Sequence, residues 1–182
     1  KGVVHSGRDD LNDYKKEFAI DTDKTDLKAI LEGADVFIGV ATPDLLTDKM
    51  LLAMADKPII FALSNPNPEI KPEYAQQIRD DIIMATGRSD YPNQINNVLC
   101  FPYIFKGALD VKATCINEAM KVAAVNALSE LTHEPVPSSV LVAYPNETEL
   151  SFGPQYIVPK PLDPRLCDKI SRAVAQAARE TN

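Results

Sequence analysis

The chain has 182 residues, of which 45% are hydrophobic and 25% are charged, a composition typical of a globular protein and not of a disordered or fibrous one. Its 26 acidic residues outnumber its 19 lysines and arginines, and the net charge of −7 argues against a protein that binds the phosphates of a nucleic acid. Only 7 residues are glycine, and no pair of them has the spacing of a glycine-rich phosphate-binding loop, so a nucleotide bound here would not be held by such a loop.

Short apolar runs alternate with amphipathic segments along the first part of the chain. The runs predict strands over residues 36–40, 59–63 and 82–85. The amphipathic segments predict helices over residues 26–31 with Thr25 as N-cap, from an N-cap at Thr47 to about Ala55, and from Pro72 to about Arg79. Continuous apolar strands separated by helices are typical of strands buried on both faces, so the pattern predicts an α/β fold with a mostly parallel sheet.

The pattern becomes more helical beyond residue 88. The longest helical pattern covers Lys112 to Leu131, and the prolines that follow predict a loop with room for a short helix. Asp163 and Pro164 have the order of an N-cap and a first helical residue, and they open a last helix that ends near Ala178. No linker divides the chain, so we expect one domain over residues 1–182 with a C-terminal helical segment over about 112–182.

The loops that follow the predicted strands are the first candidate for a ligand site, because ligands of open α/β sheets bind outside the carboxyl ends of the strands. These loops are small or polar, at residues 41–43, 64–66 and 86–88. Pro66 favours an extended backbone at Asn65, so the Asn65 amide can project from the strand end. An amide offers donors and an acceptor without charge, which suits a carboxylate, a hydroxyl or a nicotinamide amide. Taken alone, the same residues more often form an Asn-Pro turn that ends a strand.

Other candidate residues give weaker signals. Residues 94–97 form a second amide cluster, which by itself is most simply a polar loop. Arg8 and Arg88 are candidates for contacts with a phosphate or a carboxylate. The adjacent Asp80 and Asp81 are interpreted as solvated, because neighbouring residues do not share a face. No combination of Ser, His and acidic residues predicts a nucleophile, and the 3 cysteines and 2 histidines lack the spacing of a zinc site.

The cysteines and the absence of targeting patterns bear on the compartment. The 3 cysteines are odd in number and lack C-x-x-C spacing, which favours free thiols in a reducing environment. The sequence has neither a signal-peptide pattern nor an apolar run near 18 residues in length. We therefore expect a cytoplasmic protein that does not insert into a membrane.

Several stretches, taken together, resemble one known family in order along almost the whole chain. They are residues 1–4 (KGVV) with Gly7 and Arg8, 61–66 (FALSNP), 85–92 (ATGRSDYP), 94–102 (QINNVLCFP), 106–111 (KGALDV) and 156–161 (YIVPKP). These stretches are similar to the nucleotide-binding domain of malic enzymes of the bacterial or archaeal type. The resemblance implies a Rossmann-like, doubly wound and mostly parallel sheet that is incomplete, because its first βα unit is missing, with helices at the C-terminal end.

The resemblance also implies a reaction and residues that take part in it. Malic enzymes convert L-malate to pyruvate and CO2 while reducing NAD or NADP, with Mg2+ or Mn2+. The Asn of the family's Ser-Asn-Pro turn contacts substrate and nicotinamide, which implies that role for Asn65. The family's Asn pair contacts substrate and cofactor, which implies those roles for Asn96 and Asn97. The residues implied to contact the cofactor are Val40, Ala41, Thr42, Ser64, Asn65 and Asn96.

Parts of the family's active site have no counterpart in this chain. The catalytic Tyr and Lys, the acidic metal ligands and the glycine-rich loop are expected upstream, so no catalytic or metal-binding residue is assigned here and the chain alone is expected to be inactive. The implied partners are L-malate or pyruvate, the remainder of a malic enzyme polypeptide, and further copies in a dimer or larger homo-oligomer, without nucleic acid or membrane. Two other functions stay open: a non-catalytic nucleotide-binding or regulatory module, and another Rossmann-type hydroxy-acid or amino-acid dehydrogenase.

Overall fold

The computed structural model describes residues 2–181 of the chain. The chain divides into two compact units, Lys1–Ile83 (unit 1) and Met84–Asn182 (unit 2). The single domain expected over residues 1–182 stays a prediction. Among the described residues, no helix combines the length and the apolar character needed to cross a bilayer.

A parallel sheet with intervening helices forms the first part of the chain. Its elements are helix α1 (Asp13–Lys16), helix α2 (Leu27–Leu31), strand β1 (Val36–Gly39), helix α3 (Asp48–Ala53), strand β2 (Ile59–Ala62), helix α4 (Pro72–Ile78) and strand β3 (Ile83–Thr86). The strand order is β1-β2-β3, and β1 runs parallel to β2 with Val36 opposite Ile59. Each strand and helix predicted in this part is present, and the α/β fold is confirmed, although α1 has no counterpart in the prediction.

Capping side chains fix where the helices of unit 1 begin. The Thr47 hydroxyl accepts a hydrogen bond from the Met50 amide at 3.4 Å and starts α3, as predicted. The cap of α2 is Asp26 and not the predicted Thr25, because the Asp26 carboxylate accepts from the Ala29 amide at 2.9 Å. A carboxylate at this position also interacts favourably with the positive end of the helix dipole, which a threonine hydroxyl does not.

The burial of strand β1 differs from the prediction. Phe37 is buried at 6% exposure, but Val36 and Ile38 on the opposite face are 46% and 63% exposed. The expectation that the strands are buried on both faces is therefore wrong for β1. The reason is that residues 2–181 cover only the face of β1 that carries Phe37, and the face that carries Val36 and Ile38 is left exposed.

Unit 2 is mainly helical. After β3 it contains a short 3-10 helix (Asn97–Leu99) and helices α5 (Tyr103–Asp110), α6 (Glu118–His133), α7 (Ser138–Val142) and α8 (Arg165–Thr181). The sequence predicts a proline-rich loop with room for a short helix, and helix α7 is that helix. Helix α5 is missing from the prediction because Pro102 interrupts the apolar run, whereas the structure uses Pro102 at the N-cap position of that helix.

The long helices of unit 2 begin where polar side chains cap them. The pattern over 112–131 places the start of α6 too early, because Asn117 accepts from the Met120 amide at 3.1 Å and caps the helix there. Asp163 accepts from the Arg165 amide at 2.9 Å, as expected of the residue that opens α8. Helix α8 then continues past Ala178 to Thr181.

Helices α5, α6 and α8 pack around the larger hydrophobic core of unit 2. Its buried members are Leu99, Ala108, Met120, Ala124, Ala127, Leu131, Leu166, Ile170, Val174 and Ala178. Helices α5 and α8 lie very close together at Gly107, where an added Cβ would lie 2.4 Å from the Ser171 carbonyl oxygen. Only a glycine allows this approach, so Gly107 serves helix packing and not a ligand.

An ion pair at the end of α4 holds the end of α3 in unit 1. The Arg79 guanidinium donates to both carboxylate oxygens of Asp81, at 2.9 and 2.8 Å, and to the Ala55 carbonyl at 2.9 Å. It also donates to the carbonyls of Leu51 and Met54 at the C-terminal end of α3, where a helix leaves carbonyls short of partners. The interpretation of Asp81 as merely solvated is therefore wrong, and the Arg79 hydrogen bond holds the pKa of Asp81 well below its ordinary 3.8.

Replacement of Asp81 by Asn should destabilise the protein in a pH-dependent way. Because the pKa of Asp81 is lowered on folding, its carboxylate stabilises the fold above pH 3.8, the unfolded value, and that contribution is lost as the pH falls through the lower folded value. The difference in unfolding free energy between wild type and Asp81→Asn should therefore be largest near neutrality and should shrink below about pH 4.

Urea unfolding at a series of pH values measures this difference. The exposed neighbour Asp80 supplies the matched control, since Asp80→Asn makes the same chemical change outside the ion pair. A pH-independent effect of Asp81→Asn, or an equal effect of the two variants, would contradict the role assigned to Asp81.

Candidate functional site

The ends of β1 and β2 are joined by the side chain of Glu69, which is fully buried at 0% exposure. One carboxylate oxygen accepts from the Ala41 amide at 2.8 Å, and the other accepts from the Ser64 amide at 3.0 Å. Ala41 and Ser64 are the second residues past the ends of the two strands. A single carboxylate therefore replaces the ladder partners that both amides lose where the strands end.

Backbone hydrogen bonds tie the same two loops together. The Leu63 amide donates to the Gly39 carbonyl at 2.9 Å, which extends the sheet by one rung. Further along, the Leu46 amide donates to the Glu69 carbonyl at 3.0 Å. Residues 39–46 and 63–69, named here the strand-end loops, are thus connected at the sheet, at the Glu69 side chain and at its backbone.

Gly39 is required by the position of the Glu69 carboxylate. A Cβ added at Gly39 would lie 2.5 Å from the carboxyl carbon of Glu69 and 2.8 Å from the Phe37 ring. Real Cβ atoms do not approach other atoms so closely, so no other residue fits at position 39 without moving the carboxylate. One of the few glycines of the chain is therefore explained by a buried acid and not by a phosphate.

The predicted site residues of unit 1 all lie on the strand-end loops. Val40, Ala41, Thr42 and Asn65 are exposed, whereas Ser64 is buried at 7% exposure. The backbone amides of Ala41 and Ser64 are already used by Glu69, whereas the side chains of Thr42 and Asn65 belong to exposed residues and can reach a ligand. The peptide bond from Asn65 to Pro66 is cis.

The second amide cluster converges on one backbone carbonyl in unit 2. The Gln94 and Asn96 side-chain amides donate to the Gly87 carbonyl at 3.3 and 3.1 Å. The Asn96 side-chain oxygen also accepts from the Val98 amide at 3.1 Å and caps the 3-10 helix. Asn96 and Asn97 are both exposed, and Asn97 is the first residue of that helix. Asn96 therefore has a structural role in this loop, and its contacts with substrate and cofactor stay a prediction.

The buried side chain of Asn93 holds this loop in place, and sequence reasoning does not single it out. It is 1% exposed, and its amide nitrogen donates to the carbonyls of Met84 and Pro154 at 2.8 and 2.7 Å. Its oxygen accepts from the Ile157 amide at 3.0 Å. Three hydrogen bonds therefore hold residue 93 against Met84 in β3 and the segment 154–157. The available signal was the composition of residues 93–97, of which four are Asn or Gln.

Lys160 secures the same loop by its buried ammonium group. At 6% exposure, its Nζ donates to the Pro92 carbonyl at 3.0 Å and to the Glu147 carboxylate at 3.1 Å. It also lies 5.2 Å from the centre of the Tyr144 ring, within the range of a cation–π contact. Burial raises the pKa of the Tyr144 phenol. Lys160 is therefore a structural residue of unit 2 that lies in one of the stretches resembling the family, 156–161.

The two arginines predicted as ligand contacts are both engaged with aspartates. Arg8 donates through two nitrogens to the Asp10 carboxylate, each at 2.8 Å. Arg88 forms the same fork with Asp90, at 2.8 and 2.7 Å, and lowers the pKa of that carboxyl group. The Arg88 guanidinium also lies 5.7 Å from the centre of the Tyr91 ring. Each positive charge thus has a partner at hand, which weakens the attraction that either arginine would exert on an anion.

Whether these residues suit a metal ion depends on which ligating side chains lie close together. Within residues 2–181, no three or more His, Cys, Asp or Glu side chains lie close enough together to hold one. Residues 2–181 therefore supply no ligand set of their own for the Mg2+ or Mn2+ that the resemblance implies, whose ligands are expected upstream. Amides, a hydroxyl and small residues at strand ends fit an uncharged, hydrogen-bonding part of a dinucleotide better than they fit a cation.

Taken together, a parallel sheet with crossover helices and polar loops at its carboxyl ends defines a Rossmann-like α/β domain. The family model described as "Malic enzyme, NAD binding domain" matches residues 1–151, and the chain belongs to that family. The sequence resemblance is thereby confirmed at the level of the family.

Known relatives agree with this assignment. The NADP-dependent malic enzyme of Halomonas elongata is 61% identical over 98% of this chain, and the NAD-dependent malic enzyme of Rhizobium meliloti is 48% identical over all of it. The crystal structure of Entamoeba histolytica malic enzyme superposes with a TM-score of 0.80, covers 98% of this chain and is 33% identical. The chain spans 42%, 24% and 36% of the lengths of these three proteins, which is less than half in each case.

Replacement of Asn93 by Ala should destabilise unit 2. The change leaves two buried carbonyls and one amide without their partners, at a cost of about 1–3 kcal/mol in the free energy of unfolding. Chemical unfolding followed by circular dichroism measures this cost. Asn146→Ala, at an exposed position, should change the same quantity by less than about 0.5 kcal/mol. Similar values for the two variants would contradict the role given to Asn93.

Proposed function

We propose that this chain forms the cofactor-binding and part of the substrate-binding region of a malic enzyme. The proposed reaction is the oxidative decarboxylation of L-malate to pyruvate and CO2 with reduction of NAD or NADP. The observation that supports it most directly is the fixed end of β2, where Glu69 holds the Ser64 amide and leaves the Asn65 side chain exposed beside it. The similarity to relatives that are named malic enzymes supports the same proposal.

In this proposal the amide side chains orient the substrate. The Asn65 amide donates to a carboxylate or hydroxyl oxygen of malate and accepts from the nicotinamide amide group. Asn97, exposed at the start of the 3-10 helix, is assigned a contact with the substrate. Asn96 contributes from a side chain whose direction is fixed by the Gly87 carbonyl and the Val98 amide. Neutral amides suit this task because they orient a dianion without competing for a metal ion.

The cofactor in this proposal is NAD or NADP, held along Val40, Ala41, Thr42 and Ser64. The bound nicotinamide ring supplies the acceptor for the hydride that leaves C2 of malate. Relatives that use either dinucleotide resemble this chain, so both remain in the proposal. The metal that the family resemblance implies finds no ligand set among residues 2–181, and the proposal therefore assigns no metal ligand and no metal-dependent step to them.

The remaining partners follow from the same proposal. They are the substrate, the rest of a malic enzyme polypeptide and further copies in a dimer or larger assembly. The residues described here are assigned to binding and orientation, and none is assigned to proton transfer or to bond cleavage. We accordingly propose that residues 1–182 alone do not turn over malate.

An assay of the full-length gene product tests the proposed function. With Mn2+ and either dinucleotide, it should form NADH or NADPH at 340 nm in a malate-dependent manner, with pyruvate as the product. The separately purified segment 1–182 should form neither under the same conditions. Absence of malate-dependent reduction by the full-length protein would support a non-catalytic nucleotide-binding module. Reduction with a different hydroxy acid or amino acid alone would support another dehydrogenase. Turnover by the isolated segment would contradict the assignment of its residues to binding.

Replacement of Asn65 by Ala in the full-length protein should lower the malate-dependent kcat by about tenfold, because one orienting hydrogen bond is lost. Asn67, an exposed amide in the same loop, provides the matched control, and Asn67→Ala should leave kcat and KM close to wild type. Steady-state kinetics at varied malate and fixed dinucleotide make the comparison. Unchanged kcat and KM in Asn65→Ala would remove Asn65 from the proposed site.

A further inference from the structure

We propose that Glu69 is a positioning residue that fixes the two strand-end loops in the conformation that binds the dinucleotide. The inference rests on the proposed function, because it concerns how the same loops meet the cofactor. It adds a buried side chain that lies under the predicted site residues and holds the backbone from which they extend.

The environment of Glu69 is unusual for an acidic residue. Glutamates are almost never fully buried unless they are paired, yet Glu69 is 0% exposed and belongs to none of the ion pairs formed by residues 2–181. Its partners are instead two backbone amides, those of Ala41 and Ser64. These amides belong to different loops, 28 and 5 positions away in sequence. The carboxylate therefore acts as a bridge between loops and not as half of an ion pair.

The position of this bridge, just past the end of the ladder between β1 and β2, indicates what it stabilises. The ladder between β1 and β2 ends at Gly39 and Ala62, with one further bond from the Leu63 amide to the Gly39 carbonyl. Past this point the two strand-end loops diverge, and the Ala41 and Ser64 amides need new acceptors. The Glu69 carboxylate supplies both acceptors from one side chain, so the two loops leave the sheet in a defined direction. Ligands of such sheets bind at this edge, outside the carboxyl ends of the strands.

The chemistry of a carboxylate is specifically required at this position. Both of its oxygens accept hydrogen bonds and neither donates, which matches two converging N–H groups. A glutamine of the same shape has one oxygen and one NH2 group, so one of the two amides would face a donor. An aspartate is one methylene shorter and does not reach both amides from the same backbone. Gly39 adds a second constraint, since a Cβ there would lie 2.6 Å from the Oε1 atom that binds Ala41.

Glu69→Gln in the full-length protein tests the inference. The dissociation constant for NAD(P)H, measured by nicotinamide fluorescence, should rise about tenfold, the effect of one lost hydrogen bond in a preorganised loop. The KM for the dinucleotide should rise in parallel, with a smaller change in kcat. Glu32→Gln, at an exposed glutamate of the same unit, should change neither constant. A residue that merely stabilises the fold would lower the midpoint of thermal unfolding and leave the dinucleotide constants of the folded protein unchanged.

Amide hydrogen exchange supplies a second measurement that does not depend on activity. The Ala41 and Ser64 amides should exchange slowly in the wild type and faster in Glu69→Gln, while the Ile60 amide within β2 stays protected. Gly39→Ala should reproduce both effects by displacing the carboxylate. The double variant should be less impaired than the sum of the two single variants, because both act on the same bridge.

The possible outcomes separate this inference from the proposed function. A folded Glu69→Gln protein with wild-type dinucleotide affinity overturns the positioning role. If that variant does not fold, Gly39→Ala decides by the same criterion. If neither folds, the wild type decides: exchange at Ala41 and Ser64 that is slow without dinucleotide supports the inference, and exchange that slows only on binding overturns it. A wild type that reduces no NAD(P) with malate removes the proposed function, and the exchange rates still report whether Glu69 holds the loops.

Discussion

The buried Glu69 carboxylate is the interaction on which the geometry of unit 1 depends most. It satisfies the Ala41 and Ser64 amides where the ladder between β1 and β2 has ended, and the backbone carbonyl of Glu69 accepts from the Leu46 amide in the other loop. A buried acid without a cation is costly, and it is tolerated because both oxygens accept from N–H groups. The same position forces glycine at residue 39. The sheet edge, the two loops and one of the 7 glycines therefore follow from a single side chain.

Unit 2 also holds a loop by buried polar side chains, but these are an amide and an ammonium group and not a carboxylate. Asn93 is buried in a loop whose neighbouring amides are exposed, and its three hydrogen bonds connect β3 with a distant segment of the chain. Lys160 adds a buried cation that donates to the Pro92 carbonyl. In each unit the exposed polar residues of the proposed site rest on buried polar side chains that bind backbone groups. Such fully satisfied contacts restrict a loop more tightly than apolar packing does, because each hydrogen bond has a preferred distance and direction.

The regular part of this structure is predictable from the sequence, whereas the side chains that support the site are not. Strands and helices of unit 1 were predictable because apolar periodicity and N-caps such as Thr47 are local signals. Asn65 and Thr42 lie in the loops that follow β2 and β1, as the apolar runs indicate, and their roles in binding stay predictions. Glu69 and Asn93 gave no such signal, since their partners lie up to 28 and 64 positions away and their loops have no period. The burial of a polar residue in an irregular segment is set by tertiary contacts, which a single sequence does not display.

The charges of the described residues explain why the proposed site depends on the positions of its loops. Arg8 and Arg88 are each bound by an aspartate two residues away, and Lys160 is buried against a glutamate. The cations that would attract an anionic substrate are thus largely compensated, and the chain as a whole has a net charge of −7. In the function proposed above, recognition by these residues depends on neutral amides, whose hydrogen bonds are short-ranged and sensitive to direction. A neutral donor that is displaced by one ångström loses most of its hydrogen bond, whereas a charge would lose little. The proposed site, built from amides, therefore needs rigid support, and the buried Glu69 and Asn93 hold the backbone of the loops that carry it.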